Sequence, residues 1–201
     1  MDRLTSTARY RVEQFFRALT ARISEEEVER ATQILTPEAQ ALFHRQAVQD
    51  QRHALAVYHT LRQAGHTNPQ LLAAALLHDV GKAAARLPAW QRAVVVLMER
   101  FAPRLLVRLG QGEPRGCALS LVLRPPLRRR PKRPVEGPPK GWRRPFVVHA
   151  RHPEVGARWA QEAGCSPLTV ALIRRHHDRL ASCKTGEDQL LAALQAADSL
   201  N

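Results

Sequence analysis

Aromatic residues are scarce in this chain of 201 residues, of which they make up only 5%. Strands are enriched in aromatic and β-branched residues, whereas alanine and leucine, which dominate here, are strong helix formers. No convincing run of alternating apolar and polar residues marks a strand. These absences argue against a β-rich fold and favour helices.

Cysteines and long apolar runs are also rare. Cys117, Cys165 and Cys183 lie far apart and form no CxxC pair, so we expect reduced thiols rather than a zinc finger or a disulfide framework. No run approaches the roughly 20 apolar residues that span a bilayer. The first residues contain no apolar signal core. The sequence therefore predicts a cytoplasmic protein without a transmembrane segment.

Acidic residues are nearly missing from one part of the chain. Positions 100–158 hold 15 Lys/Arg and 3 Asp/Glu, so +12 of the net charge of +13 belongs to this segment. Residues at about 110–146 are also rich in proline, which predicts a flexible surface loop. Such a loop is either a tolerated insertion or a basic arm that binds nucleic acid or another polyanion. Between residues 110 and 145 the single aromatic residue is Trp142, and this scarcity favours the insertion.

Residue patterns typical of helix ends occur throughout the rest of the chain. A polar cap followed by a proline or an acidic residue is typical of a helix start. Ser24 with Glu27 predicts a capping box, and Pro153 is predicted to begin a helix that stops at Gly164. Further helix starts are predicted at Thr36-Pro37, Asp50, Asn68-Pro69, Ser166-Pro167 and Thr185.

These signals predict an all-α bundle of roughly eight or nine helices. Residues 1–49 are expected to form an N-terminal helical extension that packs on the core, and residues 50–201 a main domain interrupted by the basic loop. The segment around Val94 and Leu97 is apolar, with arginines nearby. It is interpreted as a core helix, with an interfacial membrane helix as the alternative.

His78 and Asp79 stand side by side directly after an apolar stretch, in the run Leu-Leu-His-Asp-Val-Gly-Lys. Burying a carboxylate there without a partner would cost on the order of several kcal/mol, and unpaired buried carboxylates are therefore rare. A divalent metal ion supplies the missing charge. His53 and Asp198, each on another predicted apolar helix, offer the further nitrogen and oxygen ligands that such an ion requires.

The order His53, His78-Asp79, Asp198 resembles the H…HD…D signature of the HD-domain superfamily of metal-dependent phosphohydrolases. The resemblance extends from about residue 50 to residue 201. It depends on the residues that flank His78-Asp79 as well as on the His-Asp dipeptide itself. It implies that these four residues bind one divalent ion, which is manganese, iron, nickel, zinc or magnesium.

The resemblance also implies a second ion in many members of that superfamily. His152, in His-Pro-Glu-Val-Gly, and His176, in Arg-Arg-His-His, resemble the segments that supply its ligands, with His177 as an alternative to His176. Asp79 would then bridge the two ions. Lys82 is expected to contact a substrate phosphate. Further candidates for contacts with phosphate are Arg52, Arg151 and Arg175.

The chemistry implied is hydrolysis of a phosphoester, most plausibly of a nucleotide, by a metal-activated hydroxide. Asp79 and Lys82 are the residues expected to act on the substrate, and the sequence does not separate phosphomonoesters from phosphodiesters. The alternative is a non-catalytic HD module that binds a nucleotide, or nucleic acid through the basic loop.

Overall fold

The computed structural model describes residues 24–85, 87–110, 141–180 and 183–201, and every regular element among them is helical. The predicted all-α fold is therefore confirmed for this part of the chain. The predicted helices before residue 24 and most of the predicted basic loop, residues 111–140, lie outside it. The elements are α1 Glu25–Thr32, α2 Pro37–Arg45, α3 Val48–Gln63, α4 Pro69–Leu77, a 3-10 helix Val80–Ala84, α5 Ala89–Phe101, α6 Pro103–Gly110, α7 Arg144–Glu162, α8 Pro167–Arg175 and α9 Gly186–Leu200.

Most of the predicted helix caps are present. The side chains of Thr36, Asn68 and Ser166 each accept a hydrogen bond from a backbone N–H of the first turn that follows. Thr185 forms a reciprocal capping box with Asp188. These bonds satisfy N–H groups that have no partner inside the helix.

Two predicted helix starts differ from the structure. Ser24 is the N-cap of α1, but its side chain makes no capping hydrogen bond. Asp50 lies inside the first turn of α3, which begins two residues earlier, at Val48. An acidic residue in a first turn still favours the helix, because it faces the positive end of the helix dipole.

The predicted start of a helix at Pro153 is wrong. Helix α7 begins at Arg144 and runs through Pro153 to Glu162, so the end of the predicted loop, residues 144–146, is already helical. Pro153 therefore occupies a helix interior, where it cannot donate the backbone hydrogen bond to the residue four positions earlier. That missing bond matters for the site described below.

The main core is built around α4, in which every residue from Leu71 to Leu77 is buried. Helices α1 and α2 contribute Val28 and Phe43 to the same cluster, so the described part of the predicted N-terminal extension packs into this core. Because α4 is enclosed on all sides, the residues that follow its last turn also lie deep inside the protein.

A second, smaller cluster joins α5 and α6 to the first turns of α7, through Val95, Leu106 and Phe146. The opposite part of α5 is not buried: Trp90 is 66% exposed and Leu97 57%. The interpretation of this segment as a core helix thus applies to one face only. No helix in the described ranges combines the length and the apolar content needed to cross a membrane.

Two glycines allow the 3-10 helix to approach α7 very closely. A Cβ atom added to Gly81 would lie 2.0 Å from the carbonyl oxygen of His152 and 2.8 Å from the backbone nitrogen of Gly156. A Cβ on Gly156 would lie 3.2 Å from the nitrogen of Gly81. Because these neighbours are backbone atoms, neither can rotate away. Position 81 therefore requires glycine, and this contact brings Asp79 and His152 together.

We expect Gly81→Ala to destabilise the protein by about 3 kcal/mol or more, because the added methyl group collides with backbone. Chemical denaturation followed by circular dichroism measures the loss. Gly186→Ala is the matched control, since nothing lies within 4 Å of a Cβ there, and it should change stability by no more than about 0.5 kcal/mol. Equal stabilities of the two variants would contradict the proposed close contact.

Candidate metal centre

The four residues of the predicted primary site meet at one point. His53 comes from α3, His78 and Asp79 follow α4, and Asp198 comes from α9. His53 Nε2 lies 2.7 Å from Asp198 Oδ1, and His78 Nε2 lies 3.5 Å from Asp79 Oδ2 and 3.6 Å from Asp198 Oδ1. Two imidazoles and two carboxylates from distant parts of the chain thus form one cluster.

The carboxylate of Asp79 faces a different set of imidazoles with each oxygen. Its Oδ2 lies 3.5 Å from His78 Nε2 and 4.0 Å from His53 Nε2. Its Oδ1 lies 3.2 Å from His152 Nε2 and 3.9 Å from His176 Nε2. The latter two nitrogens are 3.1 Å apart. Asp79 is therefore shared by two adjacent groups of potential ligands.

Three of the histidines are oriented by the same device. Nδ1 of each ring hydrogen-bonds the carbonyl oxygen three residues earlier: His78 to Ala75 at 2.9 Å, His176 to Ile173 at 2.7 Å, and His152 to His149 at 2.5 Å. A carbonyl can only accept, so Nδ1 must donate. In the neutral ring Nε2 then carries the lone pair, and it points toward Asp79.

The carbonyls are available for this role for two different reasons. His78 and His176 directly follow the last residue of α4 and α8, where the final carbonyls lack helical partners. His152 lies in mid-helix, but the carbonyl of His149 is the one that Pro153 cannot bond. The proline inside α7 thus releases the acceptor that orients His152.

Burial and charge act differently on the two groups. Burial disfavours a charged imidazole at His78, but the carboxylates of Asp79 and Asp198 outweigh it and raise the pKa of His78. Burial likewise opposes ionisation of Asp79, yet Lys82 and His78 hold its pKa well below the usual range. Burial also disfavours the Asp198 carboxylate, but the hydrogen bond with His53 and the nearby imidazole of His78 lower its pKa. This half of the site attracts positive charge.

Three imidazoles of the other half, those of His149, His176 and His177, have lowered pKa values. Burial, together with the neighbouring imidazole of His78, places the pKa of His176 well below its usual value. Burial and the nearby His152 lower the pKa of His149 to about 3 and that of His177 to about 4. Neutral imidazole is the form that binds a metal ion.

Lys82 is one turn beyond Asp79, at the mouth of the site. Its ammonium nitrogen lies 2.5 Å from Asp79 Oδ2, and its side chain is about one-third exposed. Burial opposes its charge, but Asp79 outweighs this and raises the pKa of Lys82. Lys82 therefore remains a cation that contacts the site on one side and solvent on the other.

The remaining candidates occupy different environments. His177 is adjacent to the second group, with ring centroids 4.3 Å from His176 and 4.8 Å from His152. Arg175 is held in ion pairs with Glu187 and Asp188 at the start of α9. Arg151 is exposed on α7, and Arg52 lines a surface cleft with residues of α1 and α2.

His149 has a larger role than its sequence position predicts. The residue is partly buried. Its ring centroid lies 5.5 Å from that of His177 and 5.6 Å from that of His152. Its carbonyl also orients His152. The position of His149, four residues before Pro153, could have revealed this role, because the proline cannot bond the carbonyl of His149.

The donor set fits divalent ions. Two atoms bound at about 2.1 Å to one ion stand roughly 3.0 to 4.2 Å apart, depending on the angle between them. Most separations in both groups lie in this range, from 3.1 to 4.0 Å, and only His53 and Asp198 stand closer, at 2.7 Å. His78 Nε2 is buried and makes no hydrogen bond, which is costly unless the nitrogen has another partner. A metal ion is such a partner.

No family model, no curated protein and no solved structure matches this chain. The resemblance to HD-domain phosphohydrolases is therefore carried by the chain's own residues. What the structure adds is their proximity. The ligand atoms of His53, His78 and Asp79 lie within 4.8 Å of one another, as do those of His152, His176 and His177, and each group could hold a metal ion.

We expect Pro153→Ala to weaken metal binding at the His152 group by about 10- to 100-fold, the range typical when a residue that orients a ligand is lost. Alanine restores the N–H that competes with His152 for the carbonyl of His149. Isothermal titration with Mn²⁺ or Zn²⁺ measures the affinity of each site. Pro167→Ala, at the first turn of α8, is the matched control. Unchanged affinity in Pro153→Ala would show that the proline does not orient His152.

Proposed function

We propose that this protein is a metal-dependent phosphohydrolase of the HD-domain type, acting on a phosphoester such as that of a nucleotide. The observation that carries the proposal is the division of the Asp79 carboxylate, whose two oxygens face two separate sets of imidazole Nε2 atoms. A carboxylate that bridges two closely spaced metal ions is a recurrent arrangement in enzymes of phosphoryl transfer.

The first ion would be held by His53, His78, Asp79 and Asp198, and the second by Asp79, His152 and His176, with His177 at its edge. Imidazole supplies most of the donor atoms, particularly in the second group. Such a set favours manganese, iron, nickel or zinc, because magnesium prefers oxygen ligands in an octahedral arrangement.

A divalent ion at this position supplies a water nucleophile near neutral pH and withdraws charge from a phosphoryl oxygen. The protein contributes positive charge through Lys82, which is partly exposed beside Asp79 and can reach outward to a phosphate. Arg151, exposed one residue before His152, is a second candidate for this contact. Arg175 is assigned to holding α8 against α9, since acidic side chains already pair with it.

We expect Asp79→Asn to lose bound metal and to lower hydrolysis of p-nitrophenyl phosphate and bis-p-nitrophenyl phosphate by more than about 100-fold. The substitution preserves shape but removes the charge shared by both groups. Elemental analysis and steady-state kinetics on the purified chain measure these effects. Chelation should also lower the unfolding free energy of the wild type, by about 2.7 kcal/mol when the ion had been present at 100 times its dissociation constant.

Asp178→Asn is the matched control, because Asp178 is an exposed carboxylate near the end of α8 that pairs with Arg175. It should retain metal and activity. A folded wild-type protein that binds no divalent ion, or an Asp79→Asn variant as active as the wild type, would contradict the proposal.

Lys82→Met should separate metal binding from substrate contact. Metal affinity should stay the same or rise, because the ammonium no longer competes for Asp79 Oδ2, whereas kcat/KM should fall by about 100-fold through loss of charge stabilisation. Lys184→Met, at an exposed position before α9, controls for loss of surface charge. If Lys82→Met loses its metal, the lysine supports the site instead of the substrate.

A further inference from the structure

Helix α5 presents an apolar stripe to solvent. Trp90, Val94 and Leu97 recur at spacings of four and three residues, so they lie on one face of the helix. Their exposed fractions are 66%, 37% and 57%. Exposed apolar side chains occur singly on most proteins, but a run of them along one helix face marks an interaction surface.

This stripe is not the part of α5 that packs inside the protein. The inward contacts are made by Val95, which joins the cluster with Leu106 and Phe146, and by Met98, which packs against that cluster. Among the residues that the structure describes, the helix is therefore apolar on two sides, and only one of them packs against other helices. An additional apolar side on a surface helix requires an explanation beyond core packing.

The charged residues in the sequence of the two helices are mostly positive. The sequence of α5 and α6 contains four arginines and one acidic residue, Glu99. Arg104 and Arg108, on α6, are exposed. The two helices lie in or next to the 100–158 region, which holds +12 of the net charge of +13. Any partner that covers the stripe must tolerate, or be attracted by, this positive field.

We propose that the α5–α6 surface, defined by Trp90, Val94 and Leu97 with Arg104 and Arg108, binds the surface of an anionic lipid bilayer. A helix with exposed Trp, Leu and Val on one face and arginines beside it has the composition of interfacial helices, which insert their apolar face among the lipid headgroups. The anionic lipids supply the charge that the arginines require.

A second copy of this chain fits the surface less well. Pairing two identical α5–α6 surfaces would bring their arginines together, and like charges at an interface are costly. The same surface would also suit nucleic acid poorly, because its aliphatic side chains offer no hydrogen bonds and Trp90 alone makes no stacking platform.

The surface is connected to the metal centre through α7. A Cβ atom on Gly110, at the end of α6, would lie 2.7 Å from the Cβ of Ala150. Ala150 lies between His149 and Arg151 in the turn that leads to His152. A bilayer bound at α5–α6 would therefore contact a helix that packs directly against the part of α7 next to His152. The proposal itself does not require the metal chemistry, and binding is measured independently of activity.

The test is co-sedimentation of the full chain with vesicles of phosphatidylcholine, with and without about one-third phosphatidylglycerol. We expect binding to the anionic vesicles that weakens as salt is raised. The double variant Trp90→Ser/Leu97→Ser should bind at least about tenfold more weakly, since burial of one such side chain contributes roughly that factor. Because both side chains are exposed, its circular dichroism and melting temperature should match the wild type.

The control is Val48→Ser/Leu200→Ser, which removes two exposed apolar side chains, 54% and 78% exposed, from other helices. It should bind vesicles like the wild type. Equal binding to neutral and anionic vesicles, or equal binding by both double variants, would overturn the proposal. So would absence of binding combined with a dimer, seen by sedimentation velocity, that Trp90→Ser/Leu97→Ser dissolves, because the surface would then belong to a second copy.

Discussion

The burial of one negative charge, on Asp79, is the constraint on which the rest of this structure depends. A carboxylate enclosed at the end of a buried helix is tolerated only where positive charge or hydrogen-bond donors surround it. Here the partners come from α3, α7 and α8, and from Lys82 one turn away. The helices therefore converge on a polar centre as well as on an apolar core, and the polar centre has the composition of a metal site.

Small features of the backbone decide how well that centre is organised. Gly81 and Gly156 remove the side chains that would keep the 3-10 helix away from α7, so Asp79 and His152 come within 3.2 Å. Pro153 breaks one helical hydrogen bond, and His152 uses the released carbonyl. The ends of α4 and α8 release two more carbonyls for His78 and His176. Backbone carbonyl groups that lack a helical hydrogen-bond partner thus orient the candidate ligands.

Much of the site could be predicted from the sequence because its residues are locally distinctive. His78 and Asp79 follow an apolar run, and this pattern alone marks a polar pair at the edge of a core. All six expected ligands lie in the cluster. The role of Pro153 was wrongly predicted, since proline is more often found at a helix start than inside one. The partial burial of His149 could not be predicted, because it depends on the ring of His177, which lies far from it in the sequence.

The sequence by itself determined the helical class and most of the caps, because those signals depend on neighbours within one or two turns, and its resemblance to HD-domain proteins indicated the candidate ligands. Only the tertiary structure decided that the two oxygens of Asp79 face different imidazoles, that Lys82 contacts one of them, and that one side of α5 stays exposed. These features depend on distances between residues far apart in the chain, and such distances are set by how the helices pack, with the close contact at Gly81 and Gly156 as the deciding case.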